Sequence, residues 1–373
     1  MTTNLAELPL SDSAAPTGLD QASSQASSHL GAIVKHFPKW AEKAETLTSI
    51  GGAVRDEVHR HVDPRYENPL DRMVQYAVGA PGKMLRGLML VESCRAVGGD
   101  PQKVLPAAAG TEFGHLASLI HDDVIDRDET RRGRTAIWRK YGVDNAILVG
   151  DLFIFYAYHS LAQCRKTVGA ERVVRVLEVL SQACVELCRG QAHEAQLAGV
   201  CSVSREEYMH MVRGKTGSLF RVAAESGAIL GGGTDEQVAA VRDYAEWLGI
   251  AYQIIDDLLS YCGDDAVLLK PAKSDIKNRR ITLPVVYALE MGSTRQQDIL
   301  RSAFEEYNAD AETLAANYGK VREVLERTGA ITRAKSVALD LLDQALLRIG
   351  TLPQSEGRTC LQMIAHMATH RSR

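Results

Sequence analysis

Apolar residues recur every three to four positions along almost all of the chain after Leu30, and the strict alternation of a half-buried strand is nearly absent. The pattern predicts helices over 105–126, 145–163 and 170–197. Capping side chains mark two more starts. Ser204-Arg205-Glu206-Glu207 opens a helix running to about Leu230, and Thr234-Asp235-Glu236-Gln237 opens one that carries through Asp257 and stops near Gly263. Several shorter helices follow Thr282. No Pro- or Ser-rich linker divides the middle of the chain. The expected fold is all-α, a single-domain multi-helix bundle over residues 31–373 around a deep central cavity.

Two acidic clusters interrupt the apolar pattern: His121-Asp122-Asp123-Val124-Ile125-Asp126 and Gln253-Ile254-Ile255-Asp256-Asp257-Leu258-Leu259-Ser260. Carboxylates in such surroundings are costly without a positive partner, and hard divalent cations bridging to phosphate suit them. Asp122 and Asp126 are four residues apart, on one helix face, and can share a metal. Asp123 points aside, where an outer-shell role is open to it. A solvated acidic helix end is the plainer reading, but the flanking Leu119-Ile120 and Val124-Ile125 indicate buried surroundings. In the second cluster Asp256 is a helical neighbour of Gln253. Position 260 is Ser, so this cluster is the weaker chelator, and Asp264 contributes only if the helix continues. Taken alone, Asp256-Asp257 reads equally as metal ligand or helix-end charge. Together the clusters suggest two or three Mg²⁺ ions clamping a diphosphate.

Such a site needs cations as well. Arg131-Arg132 follow Asp126 just ahead of Gly133, Lys83 and Arg86 follow Pro81-Gly82, and Lys215-Thr216 stands beside Gly214. Lys270 and Arg280 flank the segment before Thr282-Leu283-Pro284. Each alone reads more readily as a solvated surface charge; their joint occurrence with the acidic pair carries the weight. The chain of 373 residues is 45% hydrophobic and 24% charged, enough for a full core. A net charge of −4 without a basic face gives no sign of a nucleic-acid partner. Seven scattered cysteines with no CxxC pair fit reduced thiols in a cytoplasmic protein. Residues 1–30, rich in Ser, Ala, Thr and Gln, read as a disordered tail without a signal peptide. The longest apolar run, 146–157, is interrupted by Asp151 and is short for a bilayer, so no stable membrane insertion is expected.

From about Pro81 to Leu289 this set of motifs resembles the trans-isoprenyl diphosphate synthases, the polyprenyl synthetase family. The resemblance rests on Asp-Asp-x-x-Asp at Asp122–Asp126 followed by Thr130-Arg131-Arg132-Gly133, on Gly82-Lys83-x-x-Arg86 upstream and on Gln253-x-x-Asp256-Asp257 downstream. It implies a bundle of long helices, usually a homodimer, that joins isopentenyl diphosphate to an allylic diphosphate. By that resemblance Asp122, Asp126 and Asp256 hold Mg²⁺, while Arg131, Lys215 and Lys270 grip the allylic diphosphate. Lys83, Arg86, His115 and Arg132 would form the isopentenyl diphosphate site, and Thr216 and Gln253 would lie along the reacting carbons. Asp123 and Asp257 would be auxiliary ligands. Three positions depart from the family: Ser260 where Asp is usual, Leu269 where Gly precedes the Lys, and Arg280 where Lys is common. Rival readings are a class I terpene cyclase, a non-catalytic subunit of a heteromeric synthase, and a His-Asp metal phosphohydrolase.

The product tail is expected to run beside the helix before Asp122. Ala117 stands where short-chain members carry an aromatic floor; Ser118, Gly114 and Gly110 are also small, and Phe113 is the one bulky candidate. Small lining residues leave room for a product of C20 or longer, geranylgeranyl diphosphate first, and Ala117→Phe is expected to shorten it. Alternatively, Ala and Gly here simply permit tight helix packing.

Overall fold

The computed structural model describes residues 41–62, 68–80, 82–262, 274–306 and 310–369. The tail expected over 1–30, and Asp264, Leu269 and Lys270, lie outside the described residues. Among the described residues nearly all regular structure is helical, and strand is confined to one two-residue hairpin. The all-α multi-helix fold expected from the periodicity is the one observed. The chain forms two compact units interleaved in sequence. One takes the described residues up to Leu88 and Leu105–Cys164; the other takes Met89–Val104 and the described residues from Arg165 onward.

The first unit contains α1 (Ala41–His61), α2 (Pro69–Val78), the start of α3 (Leu85–Ala96), α4 (Leu105–Asp126), the hairpin β1 (Thr130–Arg131) and β2 (Arg134–Thr135), α5 (Ile137–Tyr141) and α6 (Val143–Gln163). Asn68 caps α2 by accepting the Asp71 N–H at 3.0 Å, and Pro69 occupies the first turn, where no N–H is needed. The central pair is α4 against α6. Ala109, Phe113, Ala117 and Ile120 of α4 interlock with Ala146, Val149, Phe153 and Ala157 of α6, and Val58 and Val62 close the core from the α1 side. Gly110 permits this approach, since a Cβ there would stand 3.0 Å from the Ala157 carbonyl oxygen. Phe113 stacks on Phe153 with centroids 5.7 Å apart. The helical segment Val143–Val168 is long and apolar enough to cross a membrane. The apolar run 146–157 understated its length, because the helix continues at both ends of that run. Its inward face is core.

The second unit continues α3 and adds a 3₁₀ turn (Pro101–Val104), α7 (Arg165–Val168), α8 (Ala170–Leu197), α9 (Arg205–Val212), a π-helical turn (Arg213–Gly217), α10 (Ser218–Gly231), α11 (Asp235–Cys262), α12 (Ser274–Lys277), α13 (Leu283–Met291), α14 (Thr294–Glu305), α15 (Ala311–Thr328), α16 (Ala330–Ile349) and α17 (Glu356–Thr369). Ile250, Ile254, Leu258 and Tyr261 of α11 belong to a core shared with Val285 and Val286 of α13 and Ala334 and Ala338 of α16. The two capping boxes form as read: Ser204 with Glu207, and Thr234 with Gln237. The helix expected from Ser204 to about Leu230 is split by the π turn, which widens the backbone around Lys215. All seven cysteines are free thiols.

Candidate active site

The faces of α4 differ in chemistry. Thr111, His115, Ser118, Asp122 and Asp126 are partly exposed and follow one another at helical spacing. At about 100° per residue, Phe113 stands about 180° and Ala117 about 140° from Asp122, while Ser118 stands only about 40° away. Phe113 and Ala117 are buried in the core cluster shared with α6. Gly114 is different: a Cβ added to it would meet nothing within 4 Å.

Asp122 and Asp126 share this partly exposed face. Asp123 is buried, and its Oδ1 accepts the Nε of Arg131 at 2.7 Å as well as Nη2 of the same guanidinium. Asp128, also buried, lies 3.4 Å from that Nη2. Burial pushes the Asp123 carboxyl up to about 6 against the pull of Arg131. Arg131 is thus fixed by two carboxylates at the mouth of the acidic helix. Among the described residues no group of three or more His, Cys, Asp or Glu side chains converges on a metal-sized site. A two-carboxylate pair does fit Mg²⁺, which takes one or two protein carboxylates and completes its shell with water and substrate phosphate.

A cationic cluster lies behind the acidic face. His115 lies in the fields of Arg86 and Arg132, Arg86 in that of Arg132, and both guanidiniums in that of Glu112, a turn before His115. Glu112 is buried and accepts the Gly87 N–H at 2.8 Å, which ties α4 to the first turn of α3. Burial lowers the Arg86 guanidinium to about 10, with Glu112 opposing and Arg132 adding to the fall. Burial likewise lowers Arg132, and raises Glu112 against the Gly87 N–H and both guanidiniums. Burial and then Arg86, Arg132 and Arg131 hold the His115 imidazole well below its usual range, so it is neutral. The Arg132 guanidinium donates to the Ala80 carbonyl at 3.0 Å and lies over Gly82, where any Cβ would come within 2.7 Å of it. A side chain there, immediately before Lys83, would displace the Arg132 guanidinium.

In the second unit the π turn carries Lys215 and Thr216. Lys215 Nζ donates to Glu194 of α8. The Thr216 hydroxyl donates to Gln253 Oε1 at 2.8 Å, Gln253 Nε2 donates to Asp257 Oδ1 at 2.8 Å, and the Tyr208 hydroxyl donates to Asp257 Oδ2 at 2.6 Å. This chain fixes which way the Gln253 amide faces. Burial, then the nearby Asp275, pushes Asp257 up to about 8, against those two donors. Asp257 is buried within this network and Asp256 is partly exposed. Arg280 lies 3.6 Å from Glu194 and 3.7 Å from Asp275.

Glu112, Glu194, Tyr208 and Asp275 escaped the sequence reading. Glu112 had a signal, a carboxylate three residues before His115 in an apolar helix. Glu194 had only a polar patch at the end of α8, and the roles of Tyr208 and Asp275 depend on tertiary packing.

The polyprenyl synthetase family model matches residues 67–321. A short chain isoprenyl diphosphate synthase of Methanothermobacter thermautotrophicus is 38% identical over 300 residues, which cover 80% of this chain and 90% of that protein. Among solved structures, geranylgeranyl pyrophosphate synthetase of Pyrococcus horikoshii matches with a TM-score of 0.82 at 31% identity, over 90% of this chain and 100% of its own. The polyprenyl synthase of Caulobacter crescentus complexed with calcium and isoprenyl diphosphate matches with a TM-score of 0.77 at 26% identity, over 92% of this chain and 97% of its own. Two relatives therefore share the fold over nearly their full length, and one of them holds a divalent cation together with a prenyl diphosphate. The chain belongs to the polyprenyl synthetase family, prenyltransferases that carry out the Mg²⁺-dependent condensation of isopentenyl diphosphate with an allylic diphosphate to geranylgeranyl or longer polyprenyl diphosphates.

Proposed function

We propose that Lys83, Arg86, His115 and Arg132 receive isopentenyl diphosphate, and that Arg131, Lys215 and Lys270 grip the allylic diphosphate. The observation that carries this reading is the gathering of Arg86, Arg132 and His115 around Glu112. Two half-buried guanidiniums, the field of Arg132 lowering Arg86, favour an added anion, and a pair of diphosphate oxygens suits their forked donors. Asp122, Asp126 and Asp256 are the residues that would hold two or three Mg²⁺ ions. Bound there, the metal would neutralise charge on the departing diphosphate.

The side chains supply position, charge and dryness. The neutral His115 offers a hydrogen bond without adding charge to an already cationic pocket. Arg131, held by Asp123, and Lys215, held by Glu194, would each present a positioned charge to the leaving diphosphate. Once the allylic C–O bond breaks, the Gln253 oxygen, oriented by Thr216 and by the Asp257–Tyr208 pair, presents its negative end to the allyl cation. The isopentenyl double bond then attacks. A proton leaves to the departed diphosphate, so no strongly basic side chain is required. A homodimer of a cytoplasmic protein, with residues 31–373 as the catalytic body, completes the reading.

Product analysis by mass spectrometry tests it, with dimethylallyl, geranyl or farnesyl diphosphate, each with and without isopentenyl diphosphate, and Mg²⁺. Expected products are C20 or longer and appear only when isopentenyl diphosphate is present. A product from the allylic substrate alone would mean a cyclase, and no turnover by the pure chain would mean a subunit without catalysis. Ser118→Phe, on the Asp122 face, is expected to shorten the product. Ala117→Phe would mainly overpack the core, at about 1–3 kcal/mol.

A further inference from the structure

The turn that carries Arg132 is strained, and its surroundings show what holds it. Thr130 pairs with Thr135 and Arg131 with Arg134, which leaves Arg132 and Gly133 as a two-residue loop. Both have positive φ, 52° and 74°. Hairpin loops of this twist take Asn-Gly or Asp-Gly, because other side chains clash with their own backbone there. An arginine in the left-handed region persists only where neighbouring structure over-determines it.

That structure is the C-terminal end of α2. Arg134 Nη1 donates to the Tyr76 carbonyl at 3.1 Å, and its guanidinium carbon stands 4.0 Å from the centre of the Tyr76 ring. The Tyr76 hydroxyl donates back to the Thr135 carbonyl at 2.9 Å. Lys140 Nζ lies 4.2 Å from the same ring centre. The hairpin and α2 are thus joined in both directions by hydrogen bonds and by cations against the aromatic face. From Tyr76 the chain continues to Ala80, which accepts from Arg132, and then through Gly82 to Lys83 and Arg86.

We infer that Tyr76 and Arg134 form a clamp that aims Arg132 at isopentenyl diphosphate and locks it in register with the Lys83–Arg86 segment; they are positioning residues for that substrate. This rests on the assignment of Arg132 to the isopentenyl diphosphate site. Loosening the clamp lets the strained turn relax toward ordinary backbone, which swings the guanidinium away. Arg131, the allylic-side residue of the same hairpin, is held separately by Asp123 and Asp128, so KM for the allylic diphosphate is expected to change less.

Steady-state kinetics of the full chain with both substrates varied, alongside thermal melting, tests the clamp. Arg134→Ala and Tyr76→Leu are expected to raise KM for isopentenyl diphosphate about tenfold or more, with kcat at saturation and KM for the allylic diphosphate within about twofold of wild type. Arg134→Lys keeps a cation over the ring and Tyr76→Phe keeps the ring, so each should show a smaller rise, about two- to threefold. An unchanged KM for isopentenyl diphosphate in Arg134→Ala overturns the inference. So does a fall in kcat and melting temperature with both KM values moving together, the mark of a general structural role. Arg132→Gln separates the layers. If it leaves KM for isopentenyl diphosphate unchanged, the site assignment itself fails; if it raises KM while Arg134→Ala and Tyr76→Leu do not, the clamp alone fails.

Discussion

His115 stands on the Asp122 face of α4 with three arginines in its field, and its charge state has a consequence for stability. In the unfolded chain an imidazole takes up a proton near pH 6.5. In the fold, burial and Arg86, Arg132 and Arg131 hold it neutral to well below that value. Below pH 6.5 the unfolded state therefore binds the extra proton, so this residue's contribution to stability falls as the pH falls and is fully present above pH 6.5. The slope is at most about 1.4 kcal/mol per pH unit. His115→Gln has no such slope. Denaturant midpoints at pH 7.5 and pH 5.5 should show wild type losing ground to the variant on acidification; a constant difference between the two proteins would refute the neutral histidine. That His115 belongs with Arg86 and Arg132 was implied only by the family resemblance, and its neutrality was not legible at all, because it arises from cations brought in by other segments. Asp123 makes the same point. Its spacing marks it as pointing away from Asp122 and Asp126, yet only the folded hairpin supplies Arg131 as the partner that occupies it.

Helices were the legible elements. The segments 105–126 and 170–197 have the bounds that periodicity assigns, and 145–163 begins two residues early because Gly142, at φ 90°, turns the chain straight into it. The hairpin was illegible for a physical reason: two residues per strand are too few to show any period. The π turn was half visible, as Gly214 beside Lys215-Thr216 inside a helical pattern. What fixes it is close approach. A Cβ on Gly190 of α8 would stand 2.4 Å from the Lys215 backbone nitrogen, and one on Gly214 would stand 3.1 Å from the Glu186 carbonyl oxygen. Gly190→Ala therefore sets two effects against each other. Helix propensity favours alanine by about 1 kcal/mol in a helix interior. The clash is with backbone, so the π turn must move, and a displacement near 1 Å at reacting groups costs about 100-fold in rate. The clash is expected to dominate function: helical content by circular dichroism stays near wild type while kcat falls about 10- to 100-fold. An alanine variant with full kcat would mean that Lys215 and Thr216 tolerate displacement, contrary to their roles as positioned groups.

For the whole molecule the question is what covers α6. Its inner face is core, yet Ile147, Leu148 and Phe155 lie outward, Phe155 at 67% and Leu148 at 55% exposure. Large apolar side chains gathered on one helix face mark a contact surface rather than solvent. Length and hydropathy alone would allow the Val143–Val168 segment to cross a bilayer. Two observations weigh against that. The opposite face is already packed in the protein core, and the outward face also carries the exposed Asp144 and Asp151. An aspartate near the centre of a spanning helix costs about 2.5–3.5 kcal/mol, comparable with what burying one of the large apolar side chains returns. A second copy of the chain can bury the same apolar side chains while leaving the aspartates at a wet rim. The proposed homodimer is therefore expected to pair through this face. Leu148→Glu with Phe155→Glu should convert a two-chain particle into a one-chain particle in sedimentation velocity. Because both side chains are already exposed in the single chain, helical content should survive the change. A variant that remains dimeric would move the interface elsewhere. A wild-type chain that sediments as a monomer but floats with lipid vesicles would show that membrane, not a second copy, covers α6.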